Sequence, residues 1–455
     1  MTTFAPFREA LQADLLDGMP DHLARLGWSR CQIESHQRAG LRTLLAYVIE
    51  RSPFHRERLA GIDTEHFELE DLSSLPVMTK AEMMARLGDV FTDRRLTPAM
   101  VEGALAATTT EPMPILDRYI ALSSGGSSGQ RGVFVMDREG LAQFVGALCR
   151  PVVARLRGSG GPPPGGLRIA MIAAASAVHA TGCAPPMTAG KRLPFRFLSV
   201  PVTLTLPDMV GRLNSLQPAA VSGYPTMLAR LAAERQAGRL RIAPQAITST
   251  SETLFPAVRA AICEGFGVPV VDMFGSTEGL VGTSGPNDPV LVFNSDGCIV
   301  ELVDERNRPV PPGARSAKVL ITNLSNRVQP LIRYEMSDRF IRQPDTPASG
   351  HLRAIVEGRA DEMLRWDGID VHPLVIRAVM VKAPEVVDYQ VRQTRRGVDV
   401  AALAPPALDV DRLRDGLASA LGAAGLARPE VTVRAVPALD RHPATGKLRR
   451  FVPLT

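Results

Sequence analysis

The feature of this sequence that most restricts its fold is the alternation of short apolar runs and helical stretches between residues 167 and 279. The apolar runs, each long enough for one buried strand, cover residues 167–175, 219–224, 245–250 and 268–279, the last of them ending in a Gly-Ser turn. Helical stretches at 225–238 and 255–267 separate them. Strands that alternate with helices at this spacing pair in parallel, because each helix carries the chain back across the sheet. The sequence therefore predicts an α/β core with parallel strands.

The segments on either side of this core have different patterns. Residues 5–110 are predicted to be mostly helical, with Ser52-Pro53 as a break and Thr79 as the N-cap of a helix that starts at Lys80. From about 297 to 345 the sequence predicts short β segments, and from 361 onward it predicts a small α+β unit. We therefore predict a large N-terminal α/β domain over 1–360, with a helical N-terminal segment, parallel or mixed sheets and a β-rich subdomain. A small α+β C-terminal domain over 361–455 follows it.

Composition excludes several classes of protein. The net charge is +5, but the basic residues are spread along the chain without a run of five or six, which argues against a nucleic-acid partner. Five cysteines, never in a CxxC spacing, argue against a disulfide framework or a structural zinc site. The first residues lack the pattern of a signal peptide, and the most apolar stretch, 169–178, is too short to span a bilayer. We expect a cytoplasmic protein, monomeric or homodimeric, with no membrane partner.

A Gly/Ser-rich loop at 123–132 is the first candidate functional element. Backbone N–H groups and hydroxyl groups of such a loop can surround phosphate oxygens, although loops of this composition are more often linkers. It does not fit the Walker pattern, which needs Gly-Lys-Ser/Thr at its end. The candidate phosphate-binding residues are Ser124, Gly126, Ser127, Ser128, Gly129 and Arg131.

Four further motifs follow this loop, at 270–279, 330–340, 358–373 and 441–450. In this order and spacing, the five motifs resemble the signatures of the adenylate-forming superfamily, which contains acyl-CoA synthetases, nonribosomal adenylation domains and luciferases. The opening at 37–84 further resembles the phenylacetate–CoA ligase branch. The resemblance covers essentially the whole chain. It implies that 1–360 binds ATP and the acyl substrate, and that 361–455 is a mobile domain that carries the catalytic lysine.

The resemblance also implies a nucleotide site. Thr277 would contact a phosphate, Glu278 would ligate Mg²⁺, and Asp338 would accept hydrogen bonds from both ribose hydroxyls, which suits an acceptor-only carboxylate. Arg359 would lie beside the ribose and phosphate, whereas Arg333 can be explained by structure alone. The remaining residues assigned to ATP are Ser251, Glu252, Phe274, Gly275 and Ser276.

The chain departs from the family pattern at four places. Phe274 stands where the family usually has Tyr, and Ser337 stands where Gly is expected in the motif RYEMSD. Thr250-Ser251-Glu252 replaces the common Gly-Gly-Glu, and Arg131-Gly132 replaces Pro-Lys-Gly, so that Arg131 can supply the charge of the usual lysine. The Thr250-Ser251-Glu252 departure makes the pocket wall unusual, so transfer of a relative's acid substrate to this chain is unsafe.

Three C-terminal residues take their roles from the same resemblance. Lys447 matches the lysine that bridges the attacking carboxylate and the α-phosphate, where an ammonium neutralises charge in the transition state. Asp361 matches the hinge about which the C-terminal domain reorients between half-reactions. Gly368 matches the position that lets the backbone line the tunnel for the acceptor's pantetheine arm.

The acyl pocket is predicted around His179, which resembles the His-x-x-Gly histidine that gates this pocket in many acyl-CoA synthetases. A strand-end histidine with a purely structural role is the alternative. Ala173–Ser176 are small and leave room for a bulky, aromatic acid. The predicted pocket residues are Ala174, Ser176, His179, Tyr224, Ser249, Phe274 and Gly275.

These inferences together predict an ATP- and Mg²⁺-dependent ligase. It would convert an aromatic carboxylic acid to an acyl-adenylate with release of pyrophosphate, and CoA would then accept the acyl group. The sequence leaves two other acceptors open, an amine (an amide synthetase) or a carrier-protein thiol in a biosynthetic pathway. A binding module without catalytic activity is the non-enzymatic alternative.

Overall fold

The computed structural model describes residues 4–124, 132–158, 160–347, 349–359, 364–367, 369–371, 373–380, 383, 385–386, 388–405, 408–441 and 448–454. The N-terminal segment is helical, as predicted. Its helices are α1 (Phe4–Arg25), α2 (Arg30–Arg51), α3 (Pro53–Arg58), α4 (Lys80–Ala85), α5 (Leu87–Val90) and α6 (Pro98–Ala107). Among the described residues, no helix has both the length and the apolar character needed to cross a membrane.

Local signals fix the ends of these helices. Thr79 caps α4 with a capping box, in which its side chain accepts from the Glu82 amide while the Glu82 carboxylate accepts from the Thr79 amide at 2.9 Å. Ser52 ends α2 and caps α3, where Pro53 occupies the first helical turn. The predicted N-cap at Thr79 and the predicted break at Ser52-Pro53 are therefore confirmed.

The central region alternates strands and helices. The antiparallel hairpin of β1 (Tyr119–Ser123) and β2 (Val133–Asp137) leads into α7 (Arg138–Gly158). The elements that follow are β3 (Leu167–Ala173), α8 (Ala180–Met187), β4 (Phe195–Pro201), α9 (Leu206–Leu216), β5 (Ala220–Gly223), α10 (Pro225–Gln236), β6 (Ala246–Thr250), α11 (Pro256–Phe266) and β7 (Val270–Gly275). Strands β4, β3, β5, β6 and β7 lie side by side and are all parallel. The predicted parallel core is confirmed, and the ends of the predicted strands and helices agree with the observed ones to within four residues.

Beyond β7 the chain becomes rich in β-structure, as predicted. The strands are β8 (Val281–Ser284), β9 (Leu291–Phe293), β10 (Cys298–Val303), β11 (Lys318–Asn323), β12 (Tyr334–Met336), β13 (Asp338–Arg342) and β14 (Arg353–Arg359). Strands β8, β9, β14 and β13 continue the parallel sheet with antiparallel pairing, while β10, β11 and β12 form a separate antiparallel sheet. The described strands thus make a mixed sheet with a smaller β layer beside it.

Arg333 joins this β layer to the N-terminal segment. It is almost completely buried, forms an ion pair with Glu301 at 2.9 Å, and donates to the carbonyl oxygens of Ser73 and Leu75. A buried guanidinium is tolerated because these acceptors satisfy its donors. The residue therefore has a structural role.

The C-terminal part is α+β, as predicted. Its elements are β15 (Leu364–Trp366), β16 (Ile369–Val371), α12 (Pro373–Met380), β17 (Asp388–Thr394), β18 (Gly397–Leu403), α13 (Val410–Ala423), β19 (Glu430–Val436) and β20 (Phe451–Val452). Strands β17 and β18 form an antiparallel hairpin in a sheet of order β19-β18-β17-β20. Its apolar core is drawn from residues 364–451. The predicted boundary between residues 360 and 361 lies outside the described residues, and it remains a prediction.

Candidate functional site

The candidate site lies at one edge of the mixed sheet. Because β3, β5, β6 and β7 are parallel, the loops that follow them emerge at the same edge, where open α/β sheets bind their ligands. These loops begin at Ala174, Tyr224, Ser251 and Ser276. The topology therefore brings together residues that lie up to about a hundred positions apart in the sequence.

The turn after β7 carries Thr277 and Glu278, and both are buried, each with 9% of its surface exposed. The Thr277 hydroxyl points to the Glu278 carboxylate, with Oγ1 3.4 Å from Oε2. The Glu278 carbonyl accepts a hydrogen bond from Asn323 Nδ2 at 2.8 Å, and Asn323 Oδ1 accepts from the Ser325 amide at 2.8 Å. Asn323 thus fixes this turn from the end of β11. Sequence reasoning missed this residue, although an Asn directly after the apolar run KVLIT is a visible signal.

The donor set at this turn fits a magnesium ion. Among the described residues, no group of three or more His, Cys, Asp or Glu side chains is placed to hold a metal. Mg²⁺ in nucleotide-dependent enzymes is held by one or two carboxylates together with substrate phosphates and water. The single buried carboxylate of Glu278 is compatible with a site of this kind.

Phe274 lies in a cluster of aromatic rings at the end of β7. Its ring centroid is 5.8 Å from that of Phe293 and 5.4 Å from that of Phe340, and both contacts are edge-to-face. The geometry is one that aromatic pairs prefer. The ring is therefore held in place although it lacks the hydroxyl of the tyrosine that the family usually has here.

Asp338 opens β13 and is buried, with 7% of its surface exposed. It is paired in register with Arg359 of β14, so the backbones of two residues predicted to surround the ribose are direct neighbours. Ser337, which replaces the expected Gly, does not have a positive φ. This position therefore does not require glycine.

Several predicted site residues lie outside the described part of the chain: Gly126, Ser127, Ser128, Gly129, Arg131, Asp361, Gly368 and Lys447. The same holds for the side chain of Arg359. The structure does describe Ser124 and Gly132, which flank the Gly/Ser loop and form its neck. Ser124 donates its amide to the Gly132 carbonyl at 2.9 Å, and its hydroxyl accepts from the Gly132 amide at 2.8 Å. These bonds continue the β1–β2 pairing up to the loop.

His179 links this neck to the loop after β3. Its Nδ1 lies 3.0 Å from the Ser123 carbonyl and must donate, because a carbonyl only accepts. The Ser123 amide in turn donates to the Val178 carbonyl at 2.7 Å. Three residues on, a Cβ added to Gly182 would lie only 2.0 Å from the Ser176 carbonyl oxygen. The spacing His-x-x-Gly therefore has a structural reason, since glycine lets α8 pack directly against this loop.

Tyr224 is completely buried beneath the loop after β3. Its hydroxyl oxygen accepts from the Ala174 amide at 3.2 Å, and burial raises the pKa of the phenol to about 12. The side chain therefore supports the predicted pocket loop from below. The pocket's small residues are retained on this loop, with Ala174 buried and Ser176 half-buried.

Asp272 is a titratable residue that sequence reasoning missed. It lies on β7 in register with the buried Ser249 of β6. Burial raises the pKa of its carboxyl to about 6, and Arg259 opposes the change only in part. The visible signal was an acid inside the apolar run VVDMF.

Ser251 and Glu252 follow β6. Ser251 has φ +69°, a left-handed conformation that favours glycine, which the family often has in this motif. Glu252 accepts hydrogen bonds from Thr226 and from the Leu448 amide, at 2.7 Å and 3.0 Å. The loop after β6 therefore contacts the C-terminal part of the chain.

Sequence and structure comparisons find proteins similar to this chain. No family model matches the chain. A phenylacetate–coenzyme A ligase of Thermus thermophilus is 26% identical over 397 residues, which is 81% of this chain and 80% of that protein. A phenylacetate–coenzyme A ligase of Aromatoleum evansii is 27% identical over 137 residues, covering 29% of this chain and 30% of that protein.

Among solved structures, 2-hydroxyisobutyryl-CoA ligase in its postadenylation state superposes with a TM-score of 0.70 at 18% identity. The same ligase in its thioesterification state superposes with a TM-score of 0.55 at 20% identity. Each superposition covers 94% of this chain and 91% of the other. The two scores differ although the same protein is compared in both cases.

The fold is thus that of the adenylate-forming CoA ligases. In sequence, the chain is similar to phenylacetate–CoA ligases, as the resemblance of the motifs predicted.

Proposed function

We propose that this chain activates a carboxylic acid with ATP, releases pyrophosphate, and transfers the acyl group to the thiol of CoA. The observation that carries the proposal is that Glu278 follows β7 and the loop of Ala174–Ser176 follows β3, so that both emerge at one edge of the parallel sheet, in a chain whose sequence relatives are CoA ligases. ATP and CoA are the proposed cosubstrates.

Each residue has a proposed part in the first half-reaction. Asp338 accepts the ribose hydroxyls, Phe274 lies against the adenine, and Thr277 contacts a phosphate. Glu278 holds Mg²⁺, which neutralises charge on the triphosphate when it is bound. The acid's carboxylate oxygen attacks the α-phosphorus, the bond to the β-phosphate oxygen breaks, and pyrophosphate leaves. Lys447 stabilises the charge on both reacting groups.

In the second half-reaction the thiolate sulfur of CoA attacks the acyl carbonyl and AMP leaves. We propose that the C-terminal part reorients about Asp361 between the steps and brings the segment near Gly368 to the acceptor. The higher TM-score against the postadenylation state than against the thioesterification state supports an arrangement here that corresponds to the first step.

The proposed acid is aromatic. The loop after β3 presents alanine and serine rather than large side chains, and these leave space for a ring. The relatives named phenylacetate–coenzyme A ligase support the same class of acid.

The experiment is a pyrophosphate-release screen over arylacetic, benzoic, short-chain and long-chain fatty acids, with products trapped by CoA or by an amine. The proposal expects release with aromatic acids and an acyl-CoA product. A preference for straight-chain acids would contradict the pocket argument, an amide product would assign the amine acceptor, and no release with any acid would favour a binding module.

A further inference from the structure

A cluster of four residues connects the core to the C-terminal part of the chain. Glu252 Oε2 accepts from the Thr226 hydroxyl at 2.7 Å, and Oε1 accepts from the Leu448 amide at 3.0 Å. Arg441 Nη1 lies 3.7 Å from Glu252 Oε1, and Arg441 Nη2 donates to Thr226 Oγ1 at 3.0 Å. Both oxygens of the carboxylate are therefore engaged by donors of the protein itself.

This cluster is protected from solvent, because the side chain of Glu252 is 8% exposed and that of Arg441 is 18% exposed. Charge-assisted hydrogen bonds between buried groups are stronger than those at the surface. Removing one partner of a buried pair therefore costs more stability than removing one partner of an exposed pair. The cluster therefore resists separation of the two parts of the chain.

A second contact lies beside it. The guanidinium of Arg450 stands 4.9 Å above the ring of Phe255, three residues after Glu252, and forms an ion pair with Asp388 of β17. The Arg450 carbonyl also accepts from the Val391 amide at 2.7 Å. The segment 448–450 is thus fixed on one side to the loop after β6 and on the other to the C-terminal sheet.

We propose that Glu252 is a positioning residue that acts through Leu448 and holds the C-terminal part in the arrangement for acid activation. The amide that Glu252 accepts from belongs to the peptide group between residues 447 and 448. The inference therefore rests on the proposed function, in which Lys447 serves only the first half-reaction. It differs from the role that the resemblance implies for Glu252, a direct contact with ATP.

The experiment compares Glu252→Ala with Glu252→Gln, which keeps an acceptor for the Leu448 amide but loses the charge that faces Arg441. We expect kcat for pyrophosphate release to fall about 10- to 100-fold in Glu252→Ala and less in Glu252→Gln, with the KM for ATP unchanged. Acyl transfer from preformed acyl-adenylate to CoA should stay within about twofold of wild type. The matched control is Glu234→Ala, which removes a carboxylate of α10 that pairs with the exposed Arg239 at 2.6 Å, and should leave both steps unchanged.

A second measurement does not depend on activity. Hydrogen exchange of peptides that contain Leu448 should accelerate in Glu252→Ala, whereas peptides from β3 should keep their protection. Equal loss in both half-reactions, a raised KM for ATP at unchanged kcat, or unchanged exchange at Leu448 would each overturn the inference. If the wild-type chain releases no pyrophosphate with any acid, the proposed function fails, while the exchange measurement still tests whether Glu252 holds the segment.

Discussion

Asp272 gives a prediction whose size follows from the structure. Burial between β6 and β8 raises the pKa of its carboxyl from 3.8 to about 6 in the folded protein. In the unfolded chain the group ionises at its ordinary value. As the pH rises above 4, the unfolded chain therefore gains the free energy of ionisation before the folded protein does, and stability falls. The loss is absent below the unfolded pKa and complete above about pH 6.

The linkage relation gives the magnitude. The two pKa values correspond to a cost of about 1 kcal/mol at pH 4.5 and about 3 kcal/mol at pH 7.5. Asp272→Asn has nearly the same shape but does not ionise. We therefore expect Asp272→Asn to raise the free energy of unfolding relative to wild type by about 2 kcal/mol more at pH 7.5 than at pH 4.5.

Urea unfolding followed by circular dichroism at several pH values measures this difference. Asp304→Asn is the control of opposite sign, because hydrogen bonds from the backbone and guanidinium of Arg308 hold the pKa of the Asp304 carboxyl below its ordinary value. Its substitution should cost stability at pH 7.5 and not gain it. A difference between Asp272→Asn and wild type that does not change with pH would refute the assignment of a neutral buried carboxyl.

Three further predictions concern the site. Asp338→Ala should raise the KM for ATP about 10- to 150-fold, the equivalent of about 1.5–3 kcal/mol for hydrogen bonds to a charged group, and an unchanged ATP dependence would remove Asp338 from the site. Gly182→Ala should lower the free energy of unfolding by about 2 kcal/mol or more, because its Cβ would lie 2.0 Å from the Ser176 carbonyl oxygen. Gly211→Ala on α9, where nothing lies within 4 Å of the added Cβ, should raise it by up to about 1 kcal/mol. Similar urea midpoints for the two variants would contradict the steric argument. Lys447→Ala should lower pyrophosphate release about 10²- to 10³-fold and leave acyl transfer from preformed acyl-adenylate near the wild-type rate, and equal losses in stopped-flow assays of the two steps would assign the lysine a structural role.

The parallel core was predictable because the spacing of apolar residues, and the residues that begin or end a helix or strand, are local properties of a sequence. The runs around Ile247 and Val271 have the length of buried strands, and Thr79 with Glu82 is a local cap. The placement of the loops that follow these strands at one edge of the sheet then follows from parallel pairing alone.

Side-chain direction and distant partners were not predictable in this way. The sequence placed Tyr224 at the pocket, but whether its ring lines the surface or lies beneath it depends on the packing of Ala174 against it. The partners of Glu252 include Leu448, which is 196 residues away, and Asn323 reaches Glu278 across 45 residues. No local pattern encodes such a contact, because it exists only after both regions have folded.

The apolar core of the C-terminal part has a consequence for how the molecule opens. All of its members come from one continuous stretch, residues 364–451, and the β17–β18 hairpin at its centre joins strands that are adjacent in sequence. Cooperative units of this kind can open while the rest of a protein stays folded. Sub-global opening would then release Arg441 and Leu448 from the sheet edge without exposing the buried strands beneath. If this unit opened in that way, uncovering the sheet edge would cost less free energy than unfolding the whole chain.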